Sequence, residues 1–270
     1  MTIRPLDVER LRDEFRTAQP FPHVAIEGFL EDDFAREVAA SYPAFEDANR
    51  IGHQFKAVNE YRKIQVTDAS KFPDPVGRLN RALAEPRFLA QLETITGVDK
   101  LLYDDQLAGG GIHMTGSRGR LDVHVDFNFL ADRGLYRRLN LLLYLNPEWE
   151  RTWGGAVELW DEAVRTRYHA FAPRLNRCVI FETSDHSFHG VEEVRCPPRM
   201  TRNSFACYYY TKEPPADYVG VNHSTIFKAR PDEHLKRYVL MPAERAKQSL
   251  MDARGQVREA RDKLKKLLRG

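Results

Sequence analysis

The chain holds little cysteine: three residues in 270, Cys178, Cys196 and Cys207, with no Cys-x-x-Cys pair. An odd number in apolar or Pro-flanked contexts implies neither a disulfide framework nor structural zinc, and a reducing cytoplasm is the simplest expectation. Long hydrophobic runs are missing too. No stretch approaches the length of a membrane span, and the opening Met-Thr-Ile-Arg-Pro-Leu-Asp carries no apolar signal core. The formal charge is only +2, which gives no reason to expect nucleic acid as a partner. Lysines and arginines near the C-terminus predict a local basic face. There is no internal repeat and no low-complexity tract. The triple glycine 109–111 lacks the Lys-Ser/Thr and the following helix of a phosphate-binding loop, and reads as a bend entering a strand. What is present is ordinary globular material, 42% hydrophobic and 30% charged, enough for one large domain.

Along the chain, residues 6–17 place Leu6, Val8, Leu11 and Phe15 at helical spacing until Pro20-Phe21-Pro22. Residues 23–30 alternate like a strand, and an acidic-led helix follows at 32–41. Residues 46–70 are polar and without a clear period; they read as a long loop, with one strand at most, covering a site. Helices are expected at 75–84 and 86–96, the second ended by Gly97. From about 99 the character changes to short strands, at 101–103, 111–114, 121–126, 138–145, 156–160, 179–181 and 204–210, ending before Pro214-Pro215. Many short strands after a helical lead-in predict a mainly β fold with α elements: a double-stranded β-helix, or jelly roll, buttressed by N-terminal helices. The expected organisation is one domain over 1–240, with a jelly-roll core at about 99–213, and a C-terminal helix over 241–270. In that helix Ala246, Leu250, Ala253, Val257, Ala260, Leu264 and Leu267 form a heptad-spaced stripe interrupted by Gly255. A small-residue stripe of this kind predicts a monomer or weak homodimer.

The stretch Leu121-Asp122-Val123-His124-Val125-Asp126-Phe127-Asn128 alternates with the period of a strand. Residues two apart on a strand share a face, so His124 and Asp126 project into one volume. They make two-thirds of a facial iron(II) site of two histidines and one carboxylate. Taken alone, the pair is better explained as a polar strand face, since chance supplies about one His-x-Asp in such a chain. Asp126, as an exposed ligand, is expected to carry little packing. The third ligand should be a histidine from a distant strand. Residues 181–191 offer His189, followed by Gly190-Val191, and His186 in what reads as a loop; His189 is preferred. Downstream, Arg202 and Ser204 share a strand face, and a guanidinium beside a hydroxyl can grip a carboxylate. His113 and Asn140 read as inward-facing, Met114 and the three tryptophans as core or turn anchors, and Arg137-Arg138 as a solvated turn. Ser184, Asp185 and His186 are adjacent but form no catalytic triad.

Jointly, these residues resemble the iron(II)- and 2-oxoglutarate-dependent oxygenases, in their prolyl 4-hydroxylase-like branch, over about residues 103–211. His124-Val125-Asp126 is similar to that family's His-x-Asp, His189 to its distal histidine, and Arg202 to its 2-oxoglutarate arginine. Leu142-Leu143-Tyr144-Leu145-Asn146-Pro147-Glu148-Trp149, followed by Trp153-Gly154-Gly155, resembles the strand and turn between the ligands. By that resemblance Tyr144, with Ser204 beside Arg202, would hold the distal carboxylate of 2-oxoglutarate. Cys196-Pro197-Pro198-Arg199 makes the segment between His189 and Arg202 longer than in many relatives, which makes Arg199 a minor competitor of Arg202. The resemblance implies iron(II), 2-oxoglutarate and O2, with ascorbate as an optional reductant. The implied reaction hydroxylates an unactivated C–H bond of a peptidyl residue such as proline, or of a small metabolite, and releases succinate and CO2. Related halogenases lack the carboxylate ligand, so Asp126 favours hydroxylation. The alternative from another class is a non-catalytic cupin-like metal- or ligand-binding protein, which has no use for Arg202 and Tyr144. A zinc hydrolase on the same ligands lacks a His-Glu-x-x-His base and also leaves Arg202 unexplained. Substrate choice is expected to reside in 46–70, the turn 127–137 and the segment 161–175.

Overall fold

The structure, a computed structural model, describes residues 2–242 and divides into two units, residues 1–228 and 229–270. In chain order the first unit contains α1 (Val8–Thr17), β1 (His23–Glu27), α2 (Asp32–Ala40), α3 (Phe45–Ile51), β2 (His53–Lys56), β3 (Glu60–Val66), α4 (Asp74–Leu83), α5 (Pro86–Thr96), β4 (Leu102–Tyr103) and β5 (Gly111–Val125). It continues with β6 (Phe129–Leu130), β7 (Leu135–Tyr144), β8 (Val157–Trp160), β9 (Arg167–Phe171), β10 (Arg177–Glu182), β11 (His189–Val191), β12 (Thr201–Thr211) and β13 (Ile226–Lys228). In the second unit residues 234–242 are helical; the expected heptad-striped helix lies outside the described residues.

The pairings are antiparallel, in the order β1-β10-β7-β12-β5-β11-β8-β9. β5 is the hinge of this arrangement. Its first half pairs with β12 on one side and β3 on the other, while Leu121 and His124 pair with β11 and Val123–Val125 with β13. The change from β12 to β11 falls across Gly116–Gly119, where Arg118 has φ +66°, while β3 continues along β5 to Leu121. One strand thus serves both sheets of a jelly roll, so the expected segments 111–114 and 121–126 are a single element.

Alternation along the central strands separates two surfaces. Leu139, Leu141 and Leu143 of β7, with Phe205, Cys207 and Tyr209 of β12, join the main core with the helices. α5 contributes Phe88, Leu92 and Ile95, a helical stripe that begins behind Pro86 and ends at Gly97, whose φ is +72°. Each such buried side chain stabilises by about 1.5–3 kcal/mol relative to exposure. The opposite face of the same strands presents Asn140, Leu142, Arg202, Ser204 and Tyr208 to a cavity. The helices therefore buttress the sheet from behind, leaving its other face to the site.

Two further expectations change. Residues 46–70 form α3 and a β2–β3 hairpin, and β3 extends the sheet beside β5. The bulge at Arg62, with φ +52° and a register shift between Tyr61 and Lys63, breaks the alternation that would have marked β3. Strands also do not end before Pro214, because β13 returns to β5.

The triple glycine is a bend, as its spacing predicts, with φ of +80° at Gly109 and +88° at Gly111. A Cβ on Gly111 would lie 2.1 Å from the Val66 carbonyl oxygen. Gly111→Ala is expected to destabilise the protein by about 2–4 kcal/mol, combining a forbidden backbone region with displacement of β3. Chemical denaturation checks this; an unchanged midpoint would count against the β3–β5 contact.

Candidate functional site

The two histidines come from neighbouring strands in direct register: His189 of β11 pairs with His124 of β5. Their ring centroids are 4.3 Å apart. Asp126 follows two residues after His124, on the same side. His124 Nε2 lies 3.5 Å from Asp126 Oδ1, and His189 Nε2 lies 3.4 Å from Asp126 Oδ2. Candidate ligand atoms of the three residues all fall within 4.8 Å of one another, and this is the one such cluster among the described residues.

The hydrogen bonds fix which atoms face inward. His124 Nδ1 donates to the Asp122 carbonyl at 2.8 Å, and His189 Nδ1 to the Ser187 carbonyl at 2.9 Å. A carbonyl oxygen can only accept, so each ring carries a proton on Nδ1 and turns Nε2 into the shared space. Burial, and then the neighbouring His124, push the His189 pKa down to about 3, so that ring is neutral. Burial alone would raise the Asp126 pKa. Arg137, then the two histidines, outweigh it and hold the carboxyl well below the usual range. Two ring Nε2 atoms and a carboxylate converge, a set of donor atoms that a cation would complete. The donor set fits iron(II), and the two histidines and carboxylate together leave coordination positions open.

These groups line a cavity of about 230 Å³ together with side chains from β2, β3, β5, β7, β12 and β13. Its charges are mostly matched. Lys63 pairs with Glu60 at 2.9 Å, Arg137 with Asp126 at 3.1 Å, and Arg120 with Asp122 at 3.8 Å. Arg202 is the exception: 3% exposed, with no carboxylate at ion-pair distance among the described residues. Its Nε donates to the Gly155 carbonyl at 2.6 Å, one Nη to Tyr144 Oη at 3.2 Å and the other to Ser204 Oγ at 3.4 Å. The Trp-Gly-Gly turn seats it. Gly155 has φ +72°, and a Cβ there would stand 3.2 Å from Arg202 Cδ. Burial pulls the Arg202 pKa down. A buried cation with neutral partners is a receptor for an anion.

The site residues expected from sequence thus gather in one region. His124, Asp126, His189, Arg202 and Ser204 border the cavity; Tyr144 is fully buried, its hydroxyl on the Arg202 guanidinium. His186 does not join them: it is exposed and pairs with Glu162 at 3.1 Å. Arg199 is exposed and outside the cavity lining. His113 lines the cavity and Met114 lies in the core. Arg137-Arg138 is no solvated turn, because both lie within β7 and Arg137 is 2% exposed. No residue of 161–175 lines the cavity; Thr225 and Phe227 do, from a segment with no such sequence signal.

Residues 110–210 match the sequence profile of the 2OG-Fe(II) oxygenase superfamily. That stretch carries the likeness to the superfamily and holds His124, Asp126, His189 and Arg202. Among curated proteins, the chain is 27% identical over 213 residues to a prolyl 3,4-dihydroxylase, OGFOD1, of Ostreococcus tauri, covering 72% of this chain and 38% of that one. It is 28% identical over 182 residues to the prolyl 3-hydroxylase OGFOD1 of Xenopus laevis, covering 65% and 32%. The chain therefore spans about a third of the length of these relatives. Among solved structures, a Pseudomonas putida prolyl-4-hydroxylase superposes with a TM-score of 0.54 at 17% identity, covering 75% of this chain and 97% of that one. A Trichoplax adhaerens prolyl hydroxylase, solved with a hypoxia-inducible-factor peptide, gives 0.53 at 17% identity, covering 75% and 90%. The fold of the chain is that of the prolyl 4-hydroxylase-like jelly rolls.

Proposed function

We propose that this chain is an iron(II)- and 2-oxoglutarate-dependent hydroxylase acting on an unactivated C–H bond, with a prolyl residue of a peptide as its first candidate substrate. The observation that carries the reading is the pairing, in one cavity, of the His124–Asp126–His189 cluster with the acid-free Arg202. A protein that only bound metal or a neutral ligand, as in the cupin-like alternative, would gain nothing from a buried cation there. The names of the algal and frog relatives support proline as substrate.

In this reading His124, His189 and Asp126 hold the metal through Nε2, Nε2 and a carboxylate oxygen. Iron(II), when bound, supplies oxygen activation coupled to oxidation of 2-oxoglutarate to succinate and CO2. Arg202 holds the distal carboxylate of the co-substrate, with Ser204 beside it and Tyr144 bracing the guanidinium. Leu142, Val157 and Phe181 line the cavity with apolar surface that shields the reacting carbon from water. Phe55, Phe127, Tyr208 and Phe227 form the aromatic part of the same wall. The proposal includes ascorbate as an auxiliary reductant, a cytoplasmic setting, and a monomer or weak homodimer with neither nucleic acid nor lipid as partner. Among the described residues no helix is long and apolar enough to cross a membrane.

The test is succinate formation from 2-oxoglutarate with iron(II), ascorbate and proline-containing peptides. Gain of one oxygen atom by a peptide, detected by mass spectrometry and dependent on both iron and 2-oxoglutarate, is the expected outcome. Succinate formation stimulated by a small amine or sugar but by no peptide would move the substrate to that class. No turnover with either would contradict the reading.

A further inference from the structure

Asn140 stands in the middle of β7, paired with Phe181 of β10 on one side and Tyr208 of β12 on the other, and is 2% exposed. Its amide nitrogen donates to Asp126 Oδ2 at 2.7 Å. Its amide oxygen accepts from Arg137 twice, from Nε at 3.0 Å and Nη2 at 2.7 Å, and from the Thr183 hydroxyl at 3.3 Å. Chemistry dictates this orientation. A guanidinium can only donate and a carboxylate can only accept, so exchanging the amide's nitrogen and oxygen would set donor against donor and acceptor against acceptor. Arg137 closes the ring by pairing with the same Asp126 oxygen at 3.1 Å. It is itself clamped, its guanidinium 3.5 Å from the Tyr208 ring centroid and 4.7 Å from that of Phe127.

The two carboxylate oxygens are therefore unequal. Oδ2 carries the Asn140 and Arg137 donors, with His189 Nε2 at 3.4 Å. Oδ1 has His124 Nε2 at 3.5 Å and keeps lone pairs to spare. We propose that Asn140 is the positioning residue of the metal carboxylate: its amide, locked by Arg137, holds Asp126 by Oδ2 so that one oxygen, Oδ1, is presented to the metal. The inference rests on the iron reading above and extends it to a residue outside the proposed ligand set. No other neutral side chain of this length offers a donor and an acceptor at once. Leucine would keep the volume and offer neither; aspartate would offer two acceptors and oppose Asp126.

The experiment titrates the metal-free full-length protein with Co(II) under nitrogen and follows the visible bands of the bound ion. Asn140→Leu and Asn140→Ser are each expected to weaken Co(II) binding by at least about tenfold, the lower end for loss of a partner that orients a metal ligand. Both should also change the band shape, because a released carboxylate alters the coordination. Two variants are used so that either one, folded by circular dichroism, carries the test. Thr183→Ala removes a contact to the same amide oxygen but none to Asp126, and should stay within about twofold of wild type. Asn140 variants with wild-type affinity and bands would overturn the proposal, as would a Thr183→Ala loss as large as theirs. Wild-type Co(II) binding that survives Asp126→Ala unchanged would instead strike the iron reading itself, and the positioning role with it.

Discussion

Replacing Asp126 with alanine is expected to abolish metal binding and also to lower stability by about 3 kcal/mol. Strand alternation alone makes Asp126 an exposed ligand whose loss should leave the fold untouched. The structure says otherwise, because Asp126 is the counter-charge of Arg137, which is buried within β7. Removing one member of a buried pair leaves the other without compensation, at about 3–5 kcal/mol. The lower end applies, since Asn140 and two aromatic rings still contact the guanidinium. Adding Arg137→Met to Asp126→Ala should recover part of the stability and none of the metal binding. Urea unfolding of the metal-free proteins measures the first effect and Co(II) titration the second. His189→Ala provides the contrast: it should lose the metal with a much smaller change in stability, because no buried charge is orphaned. An Asp126→Ala protein as stable as wild type would show that Arg137 does not depend on it.

Replacing Arg202 with lysine or alanine should raise the 2-oxoglutarate requirement steeply. The side chain is buried, its partners are neutral, and the cavity offers the space an anion would take. Truncating one member of a buried charge-assisted pair costs about 2–5 kcal/mol, or roughly thirty- to several-thousand-fold in binding. Alanine should show the larger loss. Lysine keeps the charge but not the fork of donors that meets a carboxylate side-on, and should fall between. Calorimetric titration of the metal-loaded protein with 2-oxoglutarate checks both. An unchanged affinity in Arg202→Ala, with the loss appearing in Arg199→Ala, would transfer the role to Arg199, which is exposed and outside the cavity lining.

Much of the site was legible because strand geometry is simple. His-x-Asp on an alternating strand and Arg-x-Ser on another each state, by the period of two, that their side chains share a face. Local punctuation was equally readable: Gly97 ends α5 with a positive φ, and the triple glycine bends into β5. What alternation could not show is where it breaks. From sequence Arg137 reads as part of a solvated turn, because a charged pair between Gly134 and an apolar run resembles one. In the structure a register shift between Tyr209 and Tyr210 accompanies the pairing of Arg137 with Tyr210 and Leu139 with Tyr209. That bulge turns Arg137 onto the cavity side with Asn140, against the strict period. The bulge at Arg62 hid β3 in the same way, and with it the wall formed by Glu60, Lys63 and Gln65. Phe227 was invisible for another reason: a three-residue strand returning to β5 from about a hundred residues downstream has no local pattern long enough to read.

The most direct test of the central claim is an oxygen-free crystal structure of the full chain with iron(II) and 2-oxoglutarate. The expected result is one metal ion bound by His124, Asp126 and His189, with the distal carboxylate of 2-oxoglutarate on Arg202 in the same cavity. A metal on other residues, or a co-substrate carboxylate that leaves Arg202 with only Gly155, Tyr144 and Ser204 for company, would contradict it.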